Sequence, residues 1–257
     1  GLLLAQSQLG RLSHAEVLAP AIQAAREGVG LSAQQAMFIR VLEPILTRTK
    51  GASRMYAPKG SLLGAGDSLV MEEFAGFLED LAKAGPVLIQ TGAVADAIVE
   101  WAGQGGLIRS DDLAQYRVEE RKPLRLEFNG YEILLNPQPA SSGVLIAHTL
   151  SQPDIFTAKG LLEAMKATAM ERHQLLDAPS SGSTTHLSVI DADGNAASLT
   201  MTNGEGCGSL LPGYGFMMNN VLGEEDLNPD GFHCHRPGQR LPSMMAPTIV
   251  LREGRPV

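Results

Sequence analysis

Thr184-Thr185-His186 sets two hydroxyls and an imidazole at the start of an apolar stretch, directly after the small residues Ser180-Ser181-Gly182-Ser183. A threonine hydroxyl is a weak nucleophile until a base removes its proton. If the chain is cut just before the threonine, the new α-amine supplies that base. Its ordinary pKa, near ~8, needs only a modest downward shift for work at neutral pH. The same hydroxyl can attack the preceding carbonyl and leave an ester for water to open, and flexible Ser181-Gly182-Ser183 lets that carbonyl bend into reach. A cut between Ser183 and Thr184 makes Thr184 the first candidate and Thr185 the second. The plainer reading is a linker followed by a threonine-rich strand, since threonine favours strands.

A third hydroxyl joins them through strand pairing. Asp193-Gly194 is a hairpin turn signal between His186–Ile190 and Ala196–Met201. A two-residue loop there pairs Thr185 with Thr202, and a three-residue loop pairs Thr184 with Thr202. Either register gathers hydroxyls at the open end of the hairpin, beside the glycine-rich run Gly204, Gly206 and Gly208.

The elements that must hold this hairpin change character along the chain. Up to about residue 120 the pattern is helical. Ser13 with Glu16 is a capping box before Val17, Leu18, Ala21, Ile22 and Ala25, and Gly28 closes that helix. Ser32 with Gln35 predicts a second cap. Leu69, Phe74, Phe77, Leu78 and Leu81 predict a helix ending at Gly85-Pro86, and another is expected over 92–101. Asp111-Asp112 can start a short one. Beyond, Asn129-Gly130 predicts a hairpin over 124–135, a turn-rich loop spans 137–143, and a helix is expected over 163–176. Thr248–Leu251 reads as a strand with its turn at Glu253-Gly254. Helices followed by paired strands predict an α+β layered fold. A start at Gly1 rather than Met, and a turn three residues before Val257, predict a fold incomplete at both ends.

The 257 residues carry a formal net charge of -8, with no basic stripe to neutralise phosphates, which argues against nucleic acid as a main partner. No apolar run reaches bilayer-spanning length. His233-Cys234-His235 has the residue types of a zinc site without a further ligand cluster, so neither metal nor cofactor is expected. Cys207 has nothing nearby in sequence to lower its pKa. His186 is either an acid–base group or a structural strand histidine. The acidic runs Glu72-Glu73 and Glu224-Glu225-Asp226 read by default as solvated faces.

The stretch "TTHLSVIDADGNA" resembles the start of the small subunit of γ-glutamyltransferases, a branch of the N-terminal-nucleophile hydrolases. "HAEVLAPAIQAAREG", "GGLIRSDDLAQYRVEERKPL", "PQPASSGVLIAHTL", "MMNN" and "RLPSMMAPTIV" are similar to further family motifs, in the family's order. The resemblance implies a four-layer αββα sandwich made as a precursor. Residues 1–183 would be the large-subunit part and 184–257 the small-subunit part, together one domain. Thr184 would be the nucleophile and Thr202 its hydrogen-bonded neighbour. The implied reaction is γ-glutamyl hydrolysis or transfer from a glutathione-like donor to water, an amino acid or a peptide. Asn203, Glu205, Glu225, Asp226 and Ser243 are the implied substrate contacts. Gly204 stands where the family has Asn or Glu, and Met244 follows Ser243 where the family has a second serine. The family's carboxylate-binding arginine would fall upstream of Gly1, and its oxyanion-hole glycine pair beyond Val257. Two alternatives accompany this reading: a related amidase acting on acyl β-lactams or polyglutamate, and an inactive homologue or fragment. Implied partners are the small-molecule donor and the associating subunits, with homo-oligomers open. The resemblance points to a periplasmic or extracellular place, and nothing excludes the cytoplasm.

Overall fold

The computed structural model describes residues 1–175, 184–228 and 231–257, apart from the side chains of residues 173–175 and 226. The backbone divides into two compact units: residues 1–119 with 205–219, and residues 120–204 with 220–257.

The first unit is helical. It contains α1 (Leu2–Leu9), α2 (His14–Glu27), α3 (Ala33–Val41), α4 (Glu43–Leu46), α5 (Lys50–Tyr56), α6 (Glu72–Ala84), α7 (Val87–Gln90), α8 (Ala93–Ala102) and α9 (Ser110–Gln115). A short ladder pairs β1 (Val29–Gly30) with β2 (Ser68–Leu69). Both expected capping boxes form: Ser13 Oγ accepts from Glu16 N at 3.2 Å, and Ser32 Oγ accepts from Gln35 N at 3.2 Å. Each satisfies an amide that the first helical turn leaves open. Helices α1, α4 and α5 lie where the sequence showed no clean apolar period.

Helix α2 packs on α6. Arg26 of α2 donates to Glu72 at 3.1 Å and Glu79 at 2.9 Å on α6. These bonds push the guanidinium pKa up and hold the Glu79 carboxyl below its ordinary value. The main core joins Phe77, Leu78, Leu88, Val94 and Ile98 to Leu211, which is fully buried although it lies far along the chain. Segment 205–219 threads into this unit. Phe216 packs on Phe77 with ring centroids 4.8 Å apart, and Trp101 Nε1 donates to Ser209 Oγ at 3.0 Å.

The second unit holds the sheets. Strands β3 (Leu124–Phe128) and β4 (Tyr131–Leu135) form the expected hairpin about Asn129-Gly130, both at positive φ, as a tight turn of this hand requires. Next come α10 (Ser141–Leu150) and α11 (Ala158–Leu175), which pack together, then β5 (Thr185–Ile190) and β6 (Ala196–Met201). Strand β7 (Ile249–Arg252) pairs with β4, and β8 (Arg255–Pro256) pairs with β7, giving the order β3-β4-β7-β8. The turn at Glu253-Gly254 is therefore followed by a short return strand, where the sequence reading left that strand out. Strands β5 and β6 make a separate two-stranded sheet. Among the described residues, no helix is long and apolar enough to cross a membrane.

The burial of Leu211 makes the threading of 205–219 testable. Leu211→Ala removes a fully buried side chain, and such truncations cost about 2–5 kcal/mol through lost transfer energy and a cavity. Urea denaturation of the purified protein is expected to show that loss, with exposed Leu9→Ala near neutral.

Candidate active site

The β5–β6 hairpin decides what lies together. Its observed pairs run from Ile190↔Ala196 to Thr185↔Met201, so the loop is the three-residue Ala192-Asp193-Gly194. Asp191 holds that loop. Its Oδ1 accepts from the amides of Asp193 at 3.0 Å and Asn195 at 2.8 Å, and its Oδ2 accepts from Asn195 Nδ2 at 2.8 Å. These donors favour the ionised form and hold the Asp191 carboxyl below the usual aspartate value, the Asn195 side chain first. Gly194 turns the chain at φ +84°.

Continued one step past Thr185↔Met201, this register sets Thr184 opposite Thr202, the second of the two arrangements that the turn signal allowed. Strand residues two apart share a face. Thr184 and His186 on one strand, and Thr200 and Thr202 on the other, accordingly line one cavity of about 500 Å³ within the second unit. His186 Nδ1 is hydrogen-bonded to Thr200 Oγ1 at 2.8 Å and its Nε2 to Ser188 Oγ at 2.9 Å. Both ring nitrogens therefore engage strand hydroxyls, which fixes the ring plane along the hairpin face. Thr202 Oγ1 accepts from Gly204 N at 3.0 Å, a local turn that leads the chain off the strand.

The rest of the cavity comes from the segments after residue 220. Val221, Glu224 and Leu227 form one wall, and Pro242 through Ala246 the other. The second wall is tied to the N-terminus of α10: Ser141 N donates to Ser243 O at 2.7 Å, and buried Ser142 Oγ donates to Met244 O at 2.5 Å. Gly143 in the same turn follows from the close approach of the Asn136 backbone, which a Cβ there would strike. Buried Asn228 donates to Leu222 O at 3.0 Å and Glu224 O at 2.7 Å, and so shapes the turn that carries Glu224. Gly204 has φ +59°, and a Cβ there would run into Asn220 Oδ1 and Glu224 Oε1. The glycine thus leaves room for an acidic side chain beside the cavity.

Of the residues singled out in the sequence, Thr184, Thr202 and Ser243 line this cavity together. Asn203 and Glu225 belong to the same unit without lining it, and Glu205 belongs to the helical unit. Ser183 and the Asp226 side chain lie outside the described residues. Glu224, Thr200 and Met244 are lining residues that the sequence did not single out as site residues. For Thr200 the signal was available: it is two residues before Thr202 on the same strand face. Among the described residues no three His, Cys, Asp or Glu side chains gather as a metal would need.

The chain matches the family model described as Gamma-glutamyltranspeptidase over residues 1–180 and 162–257. It is similar to the acylase ACY 1 proenzyme of Pseudomonas sp. (strain SE83), 32% identical over 98% of this chain and 54% of that one. It is also similar to the glutathione hydrolase proenzyme of Escherichia coli (strain K12), 26% identical over 99% of this chain and 56% of that one. It thus spans about half the length of these relatives. The solved structure of cephalosporin acylase from Bacillus halodurans superposes with a TM-score of 0.82 at 23% identity, covering 99% of this chain and 56% of that one. That likeness shows the fold, and the family whose model matches is a branch of the N-terminal-nucleophile hydrolases.

The Asp191 clamp carries a pH dependence with a definite sign. Its folded pKa lies below the unfolded one, so its contribution is present above the ordinary aspartate value and is lost as pH falls through the depressed folded value. Protection of the hairpin amides against hydrogen exchange, corrected for intrinsic rates, is expected to drop in that acid window. In Asp191→Asn the drop should be absent and protection lower at neutral pH.

Proposed function

Because the chain belongs to the gamma-glutamyltranspeptidase family, we propose that Thr184 is an N-terminal nucleophile that transfers an acyl group from an amide donor to water or an amine. The observation that carries this reading is the register of the β5–β6 hairpin, which lines one cavity with Thr184 and Thr202. In the maturation step, Thr184 Oγ attacks the Ser183 carbonyl carbon. The bond to the Thr184 nitrogen breaks, that nitrogen takes the hydroxyl proton, and an ester remains. Water opens the ester, freeing the Ser183 carboxylate and the Thr184 hydroxyl.

The freed α-amine then takes the Oγ proton while Oγ attacks the donor carbonyl. The donor's leaving nitrogen receives that proton and departs as an amine. Water or an acceptor amine attacks the acyl ester and restores Thr184. Thr202 orients the nucleophile across the hairpin. Ser243, which lines the cavity, is a candidate to bind a donor polar group, and Asn203, Glu205, Glu225 and Asp226 are carried by resemblance alone. The donor acyl group is γ-glutamyl in this reading. A second reading, another acyl amide, is favoured by Met244 in the cavity wall and by the 32% identity to a proenzyme named acylase.

The two products of the cut, 1–183 and 184–257, would stay together as subunits. Strand β7 of the second pairs with β4 of the first, and Leu211 of the second is buried in a core built by the first.

Mass spectrometry of the purified protein is expected to show co-eluting pieces 1–183 and 184–257. After exposure to an activated γ-glutamyl amide, the trapped acyl group should sit on Thr184. Thr184→Ala should stay uncut and lose at least about a thousandfold in kcat, as losses of nucleophiles do. Turnover by an unbroken chain, or an acyl group on another side chain, would refute the assignment.

A further inference from the structure

A second cavity, of about 440 Å³, opens within the helical unit. Cavities of this volume hold small molecules when an apolar lining carries a few placed polar groups. Helix α5, the start of α6, the end of α8 and the threaded residues 209–213 build it. Bonds and close packing fix these pieces. Thr49 Oγ1 caps α5 by accepting from Ala52 N at 3.3 Å, and Trp101 Nε1 donates to Ser209 Oγ at 3.0 Å. Arg48 Nη1 donates to Cys207 O at 3.1 Å, which holds the threaded segment at its entry. Further on, Gly215 lies so close to α6 that a Cβ there would meet Phe74 N at 2.8 Å and Glu73 Cβ at 2.9 Å.

Half-buried Met55, Met71, Trp101 and Leu210 give the lining its apolar surface. The bond to Ser209 holds the Trp101 indole in one orientation as part of that surface. Charge of both signs lines the cavity too, for Arg54 and Glu73 are exposed lining residues. Glu72 lines it as well, and its carboxylate is engaged by Arg26 at 3.1 Å. A ligand that meets these features has an apolar body, an anionic group for the Arg54 fork and a cationic group for the Glu73 carboxylate. A free α-amino acid with an aliphatic side chain carries all three in one small molecule.

We infer that this cavity binds apolar α-amino acids as zwitterions, with the carboxylate on Arg54, the ammonium on Glu73 and the side chain against Trp101 and its apolar neighbours. None of these residues takes part in the acyl transfer proposed for Thr184, so the failure of either leaves the other standing.

Trp101 is the only tryptophan of the chain, so indole emission reports on this cavity directly. Titration of the purified protein at neutral pH with L-leucine is expected to give a saturable emission change, with half-saturation at about 1 mM, an affinity within reach of a ligand of this size. 4-Methylpentanoate, which lacks the amine, and 3-methylbutylamine, which lacks the carboxylate, should each bind about tenfold more weakly, the worth of one charge-assisted bond. Arg54→Gln should weaken leucine about tenfold without weakening 3-methylbutylamine. Glu73→Gln should weaken leucine as much without weakening 4-methylpentanoate. Both positions are exposed, so neither change disturbs the core. No saturable emission change with L-leucine, equal binding of leucine and either truncated probe, or leucine binding that either substitution leaves intact would overturn the assignment.

Discussion

The site depends on a turn. A β-hairpin has a side-chain period of two, so shifting its pairing by one residue sends a whole row of side chains to the opposite face. Here the row in question is Thr184, His186, Thr200 and Thr202. The loop Ala192-Asp193-Gly194 sets it, and Asp191 enforces that loop by accepting hydrogen bonds from two backbone amides and a side-chain amide. A carboxylate saturated by donors at one end of the hairpin thus decides which hydroxyls meet at the other. The hairpin needs such a device because β5 is exposed along its whole length, and burial supplies little register information there.

The polar face of the hairpin is supported from below. Ser198 Oγ accepts from Thr248 N at 3.1 Å, which ties β6 to the segment entering β7. That segment begins at Ser243 and Met244, which are themselves bonded to the N-terminus of α10. One wall of the cavity is thus fixed by hydrogen bonds to its backbone carbonyls from a stretch of chain about a hundred residues away, such as Ser142 Oγ to Met244 O. Bonds to backbone carbonyls suit this task, because they place the wall without engaging its side chains.

How much of this was legible beforehand follows from how local each signal is. The capping boxes at Ser13 and Ser32, the Asn129-Gly130 turn and the gathering of Thr202 with the Thr184-Thr185 pair were readable because each is decided within a few residues or by one turn. The hairpin loop length was not, since Asp193-Gly194 serves a two-residue or a three-residue loop equally well. What chose was the Asp191 side chain reaching Asn195, a contact visible only once both backbones are in place. Helices α1, α4 and α5 escaped because short, weakly periodic segments are held by packing more than by their own pattern. Glu224 escaped for another reason: nothing in the run Glu224-Glu225-Asp226 distinguishes its first acid in sequence, and buried Asn228 shapes the turn that carries it.

The two compact units are each built from both sides of the 183/184 bond. The helical unit takes 205–219 into its core, and the sheet unit threads β7 and β8 beside β4. On the proposed reading such a chain folds before it is cut, because the core around Leu211 and the β3-β4-β7-β8 sheet each draw on both pieces. The constraint runs in the direction that self-cleavage chemistry requires. On the proposal that Thr184 acts on its own upstream carbonyl, the hairpin register comes first and the new terminus follows from it.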